Sequence, residues 1–463
     1  MDSASSTAAR DPSECGPAAP LLERARVPAL VLGVLRTLHG AGKQAFLAGG
    51  AVRDLARLAL GQVEVPTGER WPADFDVATD ALPEQVLALF PRAIPTGMQH
   101  GTVTVLARGD GEEHKVEVTT FRGEGPYLDG RRPSAVTFLG DIEGDLARRD
   151  FTVNAMAWDP LAEQGSGLRD PFGGLADLRK RRLRAVGNAR ERFSEDGLRP
   201  LRAVRFAGTL RMALERKTER AIVETLATFK QVAQERVRDE LEKLLLRGRP
   251  ASRGLRLLRR TGLLQAIAPE MANSADRDPI AWRRLLRALD ASERSLSVRL
   301  ALLTLPVPAE QRAALLDLLR FPTRLRDRVL LLQSEAPHVL AATATDGACR
   351  RAMARIGVSA LPDLLAMRKS LAVADGEPAR DAQMNARCSL LLQANPPLTL
   401  QQLAINGRQL MSELHLSPGP AVGQLLHGLL EQCFDDPSLN SFDQLRRLAS
   451  ETIHAQSTGN SQG

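Results

Sequence analysis

The sequence predicts a mixed α/β head followed by domains built almost entirely of α-helices. Short apolar runs of strand character alternate with helical spacing through roughly the first 200 residues. Beyond Thr218 nearly every segment carries apolar residues at i, i+3 and i+4, the period of a packed helix. A chain of 463 residues is too long for one hydrophobic core, so we expect several domains.

The charge balance favours a polyanionic partner. The net charge is +7 and the isoelectric point is near 9.7. Residues 178–216 carry twelve Lys or Arg against four Asp or Glu, so the excess positive charge is concentrated there. Aromatic residues make up only 4% of the chain, which disfavours a single-strand-binding surface built on base stacking.

Cysteine usage and the N-terminus indicate the compartment. Cys15, Cys349, Cys388 and Cys433 are far apart and lack metal-ligand spacing, which predicts a reduced, cytosolic protein. Residues 1–20 are rich in Ala, Ser and Pro, as is typical of a disordered tail rather than a signal peptide. No run is long and apolar enough to cross a bilayer, so no membrane partner is expected.

A glycine turn follows the first predicted strand. Helical spacing predicts a helix over residues 27–42, and residues 46–48 form the strand. Gly49 and Gly50 come next and allow a tight turn that brings backbone N–H groups close to an anion. Arg53 follows at the predicted start of the next helix.

Paired carboxylates follow on a second short strand, D-F-D-V-A-T-D at residues 74–80. Strand alternation puts Asp74 and Asp76 on one face. A divalent cation relieves their repulsion, and Mg²⁺ prefers one or two carboxylates plus phosphate oxygens. The glycine turn and the two aspartates together predict a site for a nucleoside triphosphate and its metal. Taken alone, each pattern is more often an ordinary turn or a solvated strand face.

A helix over residues 82–90, a glycine-rich loop over 95–102 and a hairpin are predicted next. The hairpin pairs residues 103–106 with 115–121. On its second strand Glu117 alternates with valines and projects a carboxylate out of an apolar strand. That carboxylate is either a cross-strand ion-pair partner or a functional group.

The segment R-R-D-F-T-V-N-A at residues 148–155 predicts a helix with Asp150 and Asn154 on one face. The Asp150 carboxylate can accept from a ribose hydroxyl, and Arg149 can hold phosphate oxygens. The alternative is that Arg148 and Arg149 are merely solvated.

A further helix is predicted over residues 195–210, with Ser194 as its N-cap. Spacings of three place one acid and three arginines along one face: Asp196, Arg199, Arg202 and Arg205. An Asp beside an Arg can match the base edge of C or A, because the carboxylate accepts from the exocyclic amino group and the guanidinium donates to the ring acceptor. The alternative is a surface ion pair. Pro200 would kink this helix, unless the helix begins later.

The remaining helices are predicted over residues 218–247, 252–264, 279–291, 295–303, 309–319, 324–333, 347–375 and 397–449. The acid-free basic run at residues 247–260 is predicted to contact RNA phosphates, with a solvated helix face as the alternative.

Five motifs occur in a fixed order. They are G-G-A-V-R-D at 49–54, D-F-D-V-A-T-D at 74–80, R-R-D-F-T-V-N-A-M-A at 148–157, D-P-F-G-G at 170–174 and E-D-G-L-R-P-L-R-A-V-R-F at 195–206. In this order they resemble class II tRNA nucleotidyltransferases, the CCA-adding enzymes and the related bacterial poly(A) polymerases. The resemblance is strong over about residues 25–264 and weaker near I-N-G-R-Q-L at 405–410.

The resemblance implies an α+β head with a nucleotidyltransferase-type mixed sheet and flanking helices, then all-α neck, body and tail. It implies transfer of C and A from CTP and ATP to the tRNA 3′ end with release of pyrophosphate. Asp74 and Asp76 would hold Mg²⁺ and act with Glu117 as catalytic carboxylates. The implied nucleotide-binding residues are Gly49, Gly50, Arg53, Arg149, Asp150, Asn154, Asp196, Arg199, Arg202 and Arg205.

The implied domain order has six segments: a disordered tail at 1–24, the head at 25–185, a base-reading neck at 186–258, a helical body at 259–386, a tRNA-binding tail at 387–455 and a disordered end at 456–463. Three alternatives stay open. They are a poly(A) polymerase, which we expect to end in a strongly basic segment unlike S-T-G-N-S-Q-G, a CC-only or A-only enzyme, and a non-catalytic RNA-binding protein with a degenerate head.

Overall fold

The computed structural model describes Leu22 and residues 27–63, 74–109, 112–124, 136–163, 166–341 and 345–459. Of the predicted N-terminal tail at 1–24, Leu22 alone lies within these residues. Of the predicted disordered end, residues up to Gly459 continue the last helix and 460–463 lie outside. Among the described residues, no helix is long and apolar enough to cross a membrane.

The described residues form two compact units. The first comprises the described residues up to Leu244 together with Arg253–Ile267, and the second comprises Leu245–Ser252 and the residues from Ala268 onward. The first unit therefore contains the predicted head and most of the predicted neck. The finer division into four folded domains stays a prediction.

The strands all lie in the first unit and, in chain order, are β1 (Ala45–Ala48), β2 (Phe75–Thr79), β3 (Ala93–Gly97), β4 (Thr102–Gly109), β5 (Glu112–Thr120), β6 (Arg122–Glu124), β7 (Val136–Phe138), β8 (Ala157–Trp158), β9 (Leu168–Arg169), β10 (Arg182–Leu183) and β11 (Ala213–Leu214). Seven of them form one sheet in the order β3-β4-β5-β2-β1-β8-β9. Strands β2 and β5 pair in parallel, whereas every other neighbouring pair in this sheet is antiparallel. The predicted mixed sheet is confirmed.

The helices of residues 27–267 are α1 (Ala29–Gly40), α2 (Gly50–Ala59), α3 (Pro83–Leu89), α4 (Ile142–Ala147), α5 (Gly174–Arg179), α6 (Ala189–Glu195), α7 (Arg199–Thr209), α8 (Arg216–Glu224), α9 (Leu226–Phe229), α10 (Gln234–Arg247), α11 (Ala251–Arg260) and α12 (Leu263–Ile267). All of them begin in the first unit except α11, whose first two residues belong to the second. Short 3-10 turns cover Met98–His100 and Thr152–Asn154.

The second unit is helical throughout its described elements. Its helices are α13 (Pro269–Arg277), α14 (Pro279–Ala291), α15 (Leu296–Thr304), α16 (Ala309–Leu318), α17 (Thr323–Ala341), α18 (Asp346–Ile356), α19 (Leu361–Asp375), α20 (Pro378–Gln393), α21 (Gly407–Glu413), α22 (Pro420–Asp435) and α23 (Phe442–Gly459). The prediction of a mostly helical second part is confirmed.

Several helices are shorter than their periodicity suggested. The predicted helix over 218–247 is three helices, α8 to α10, and residues 252–264 fall in two, α11 and α12. Glycines with positive φ mark two breaks: Gly262, with φ of 76°, separates α11 from α12, and Gly357, with φ of 83°, ends α18 inside the predicted helix over 347–375. Helix α20 was not predicted at all. Apolar spacing shows which face is buried, but it continues across such breaks.

The sheet edge also differs from the prediction. Within residues 95–102, predicted as a loop, the end of β3 and a 3-10 turn form instead. An edge strand has one neighbour only, and β3 is mostly exposed with a register shift between Ile94 and Gly97. It therefore lacks the apolar alternation by which sequence patterns reveal a strand.

The sheet buries apolar side chains on both faces. Phe75, Val77, Val116 and Val118 are at most 3% exposed and lie on one face by strand alternation. The opposite face carries Ala48 in a second apolar cluster. The polar positions of β2 and β5 emerge on this second face, beside that cluster.

Candidate active site

A cleft of about 470 Å³ lies in the first unit, over the sheet face that carries Ala48. It is lined by all but two of the predicted site residues. Those that line it are Gly49, Gly50, Arg53, Asp76, Glu117, Arg149, Asp150, Asn154, Asp196, Arg199 and Arg202. Segments far apart in the chain thus converge on one cleft.

Two carboxylates lie side by side on the floor of the cleft. The parallel pairing of β2 with β5 places Asp76 opposite Glu117, and the antiparallel pairing of β1 with β2 places Ala48 opposite Asp76. Burial is the main cause, and repulsion from Glu117 the second, of a pKa of the Asp76 carboxyl raised to about 6. Asp74 lies one residue before β2, is exposed and does not line the cleft, but its charge also raises the pKa of Asp76.

This arrangement suits a metal that brings its own remaining ligands. Among the described residues, no three His, Cys, Asp or Glu side chains converge as a complete metal cage. Mg²⁺ is commonly held by one or two carboxylates together with substrate phosphates and water. The carboxylate of Asp76, with Glu117 beside it and Asp74 close enough for its charge to act on Asp76, fits that donor set.

The glycine turn predicted from the sequence is present and requires glycine. Gly49 has φ of 67°, and a Cβ atom there would collide with Nη1 of Arg149. The turn leads directly into α2, so the helix begins at Gly50 with its first N–H groups at the cleft. The N-terminus of a helix is a favourable place for an anion.

Arg53 and Asn154 are joined at one wall of the cleft. Nη1 of Arg53 donates to Oδ1 of Asn154 at 2.6 Å, and its Nε and Nη2 donate to Asp54 at 2.9 and 2.8 Å. The guanidinium also lies 5.3 Å from the ring centre of Phe206. Arg53 is therefore fixed from three sides.

Asp150 and Asn154 are in contact, although not on a helix as predicted. Helix α4 ends at Ala147, and a 3-10 turn brings Nδ2 of Asn154 within 3.0 Å of Oδ1 of Asp150. Oδ2 of Asp150 accepts from Nε and Nη2 of Arg202 at 2.9 and 2.7 Å. Burial opposes ionisation, but Arg202 and Asn154 outweigh it and lower the pKa of Asp150.

The predicted helix over residues 195–210 is wrong in its first turn. Helix α6 is capped by Asn188 and ends at Glu195, so Ser194 lies inside it rather than at a cap. Asp196 has an extended backbone, and α7 begins at Arg199 with Pro200 in its first turn. Proline is well tolerated there because that N–H has no partner within the helix.

As a consequence, Asp196 and Arg199 line the cleft but their side chains bind other partners. Oδ2 of Asp196 accepts from Nη2 of Arg236 at 3.0 Å. Nη1 of Arg199 donates to Glu195 at 2.6 Å, and its Nη2 donates to the carbonyl of Arg148 at 3.1 Å.

Arg205 does not line the cleft, contrary to the prediction. It is 7% exposed, its Nε donates to Glu240, and its guanidinium lies 3.6 Å from the ring centre of Phe206. Burial lowers the pKa of Arg205 to about 10 despite Glu240. Arg205 lies six residues after Arg199 on α7, and at 3.6 residues per turn this places it about 120° around the helix from Arg199, away from the cleft.

Comparison with known proteins identifies the family. Residues 45–184 match the poly A polymerase head domain family, and residues 211–274 match the family described as "Probable RNA and SrmB- binding site of polymerase A". A CCA-adding enzyme of Geobacillus sp. (strain WCH70) is 36% identical over 395 residues, which are 85% of this chain and 90% of the relative. The chain belongs to the CCA-adding enzyme family.

Two further relatives agree with this assignment. The CCA-adding enzyme of Geobacillus stearothermophilus is 47% identical over 242 residues, 52% of this chain and 54% of that protein. The crystal structure of the Bacillus stearothermophilus CCA-adding enzyme in complex with CTP has a TM-score of 0.76 and 29% identity, covering 94% of this chain and all of that one. The resemblance inferred from the ordered motifs is confirmed.

Membership of the CCA-adding family makes the chain a nucleotidyltransferase, and such enzymes use divalent metals.

The cleft contains further side chains that the sequence did not single out: Thr102, Thr119, Arg122, Arg148 and Phe206. Alternation with Glu117 on β5 could have indicated Thr119. The hydroxyls of Thr102 and Thr119 lie 3.0 Å apart across β4 and β5.

Proposed function

We propose that this member of the CCA-adding family adds C and A nucleotides to the 3′ end of tRNA, using CTP and ATP without a template and releasing pyrophosphate. The observation that carries the proposal is one cleft that combines adjacent carboxylates on the sheet, a glycine turn at a helix start and Asp196 with Arg199. Each feature serves a different part of the same reaction.

The sheet carboxylates would serve the reacting atoms. Asp74 and Asp76 would hold Mg²⁺, which when bound supplies Lewis-acid stabilisation of the phosphoryl oxygens and lowers the pKa of a nearby hydroxyl. Glu117 lies beside Asp76 in the register and would orient the tRNA 3′-hydroxyl for attack on the α-phosphate. The crowding that raises the pKa of Asp76 is consistent with a site made for positive charge.

The phosphates would bind at the glycine turn. The first N–H groups of α2 lie at the cleft, where a helix N-terminus favours an anion, and Arg149 lies against Gly49. Arg53, fixed by Asn154 and Asp54, adds a second positive charge to the same end of the cleft. Asn154, Asp150 and Arg202 would line the ribose side.

The base would be read by Asp196 and Arg199. A carboxylate accepts from the amino group of C or A and repels the carbonyl that U or G presents there. Both residues line the cleft, and each is held by a separate ion pair. Two groups that the fold holds in place beside one cleft can face one base edge together.

The test uses three tRNA transcripts, lacking the whole CCA end, its last two nucleotides, or only the final A. Each is incubated with purified protein and labelled CTP or ATP, and product length is read at single-nucleotide resolution. The proposal expects C addition to the first two substrates and a single A on the third. Long A tails on any RNA would favour a poly(A) polymerase. Addition of C alone or of A alone would indicate a CC-only or an A-only enzyme. The absence of any product would favour a non-catalytic RNA-binding protein.

The tRNA backbone would contact the basic run at residues 247–260, which lies within the segment matched to the RNA-binding family. Not every arginine in this run is available. Arg253 donates to the carbonyls of Ala207 and Met212 at 3.2 and 2.8 Å, whereas Arg256 is exposed on α11. Arg256 is therefore a candidate for a phosphate contact.

Arg256→Ala should weaken tRNA binding severalfold and reduce the salt slope of log Kd by about one, because one fewer phosphate is neutralised. The KM for CTP should stay unchanged. A filter-binding series over increasing KCl measures the slope. Arg36→Ala, at an exposed position on α1, is the control and should leave both values unaltered. An unchanged tRNA affinity for Arg256→Ala would mean that this face is only solvated.

The proposed location is the cytoplasm, where tRNA and nucleotides are present together. Cys349, Cys388 and Cys433 are free and buried, in keeping with a reducing compartment.

A further inference from the structure

We infer that Asp145 is a positioning residue that sets the orientation of the arginines at the phosphate end of the cleft. The inference rests on the proposed function, because it concerns where the triphosphate binds. Asp145 itself does not line the cleft. It acts only through the guanidiniums that it holds.

The Asp145 carboxylate is buried, and both of its oxygens accept hydrogen bonds. It lies in α4 and is 1% exposed. Its Oδ1 accepts from Nε and Nη2 of Arg148 at 3.0 and 2.7 Å, and from the backbone N–H of Arg122 at 3.4 Å. Its Oδ2 accepts from Nε and Nη2 of Arg149 at 3.3 and 3.0 Å. All three arginines that it contacts line the cleft.

Arg149 is the arginine whose position matters most. Its Nη1 packs against Gly49 and donates to the carbonyl of Asn154 at 3.4 Å. Its charge also reaches Asp76, where it opposes the upward shift of the carboxyl pKa. The guanidinium therefore lies beside the glycine turn in the same cleft as the sheet carboxylates, where the proposed triphosphate would bind.

A buried carboxylate is well suited to this task. Burial alone would raise the pKa of Asp145, but Arg149 and Arg148 outweigh burial and the net shift is downward. Asp145 thus stays ionised at neutral pH and makes forked, charge-assisted bonds to both side chains. A free arginine loses rotamer entropy when it binds a ligand, whereas one held in place has lost that freedom before the ligand arrives.

The chain offers a matched comparison at Asp177. This carboxylate is 0% exposed and also holds two arginines, accepting from Nε of Arg182 at 2.7 Å and from Nε of Arg184 at 2.9 Å. It accepts from the Thr152 hydroxyl as well, at 2.7 Å. Neither arginine lines the cleft. Loss of the Asp177 charge should therefore cost stability without affecting nucleotide binding.

The test compares Asp145→Asn with Asp177→Asn in the full chain. Isothermal titration with CTP and with ATP measures affinity, and thermal melting measures stability. We expect Asp145→Asn to weaken CTP and ATP equally, by about tenfold or more. The preference among the four bases should not change, because Asp196 and Arg199 are untouched. Asp177→Asn should lower the melting temperature comparably and bind both nucleotides like the wild type.

A second variant covers the case in which Asp145→Asn does not fold. Arg149→Lys keeps the charge but loses the fork that Asp145 holds, so it should reproduce the loss of affinity. Where both variants fold, the double variant should lose no more than the larger single loss, because the two changes break one interaction. Additive losses would overturn the inference.

Other outcomes are equally decisive. Wild-type affinity in Asp145→Asn, or an equal loss in Asp177→Asn, would reduce Asp145 to an ordinary structural residue. Binding does not require transfer, so a wild-type protein that binds CTP but extends no tRNA would refute the proposed function and leave this inference standing. A wild-type protein that adds CCA while Asp145→Asn binds CTP normally would refute the inference alone.

Discussion

Asp76→Asn should reduce nucleotide incorporation by about a thousandfold or more, which is roughly 4 kcal/mol in the activation barrier. The carboxylate lies on the cleft floor beside Glu117, where the proposed Mg²⁺ would bind. An amide of the same shape is a much weaker ligand for a hard cation. Single-turnover incorporation of labelled CTP into tRNA lacking its CCA end measures the loss.

The fold should survive the same change. Because burial and Glu117 raise the pKa of Asp76 in the folded protein to about 6, from an ordinary 3.8, its ionised form destabilises the fold above that pH. Removing the charge should therefore keep or raise the melting temperature at neutral pH without added metal. The control is Asp80→Asn in the same motif, because Asp80 does not line the cleft. Its Oδ1 instead accepts from the backbone N–H of Gln44 at 2.9 Å. Near-normal turnover in Asp76→Asn would refute the assignment.

The second large effect is expected in base choice. Asp196→Ala should lower kcat/KM for CTP and ATP by tenfold to a hundredfold and raise the relative use of UTP and GTP, since one substitution removes both the acceptor and the repulsion toward carbonyls. Arg199→Ala should lose efficiency similarly. The measurement is kcat/KM for all four nucleotides with one tRNA substrate.

The ion pair from Arg236 adds a prediction that spacing alone did not offer. Arg236 lies forty positions away in sequence and holds Oδ2 of Asp196 at 3.0 Å, without lining the cleft itself. Arg236→Ala should therefore relax selectivity in the same direction as Asp196→Ala, but less. Glu219→Ala is the control, because it breaks an ion pair with Arg260 outside the cleft. A changed melting temperature with wild-type selectivity in Asp196→Ala would leave Asp196 as a structural residue.

Strand periodicity was the most dependable guide to the site. A side-chain period of two put Asp76 on the polar face of β2 and Glu117 on the polar face of β5, and the observed register pairs the two residues. Backbone geometry also determined the turn at Gly49, since only glycine fits its positive φ so near Arg149. The order of the short motifs carried the family assignment.

Helical spacing was less dependable because it assumes that the helix is unbroken. The row from Asp196 to Arg205 was predicted as one face, but Pro200 lies in the first turn of α7 and Asp196 precedes the helix. The predicted contact between Asp150 and Asn154 was nevertheless right, because a 3-10 turn also brings residues i and i+4 together here.

The sequence by itself determined the strands and helices of the head, the helical remainder, the glycine turn and the nature of the cleft carboxylates, because those follow from the local backbone period and from steric limits at single residues. Only the tertiary structure decided which acid holds which arginine. Asp150 meets Arg202 from 52 positions away, and Glu240 meets Arg205 from 35 positions away. Such pairs depend on how segments distant in the chain pack together, and a long arginine side chain has several acids within reach until packing leaves it one.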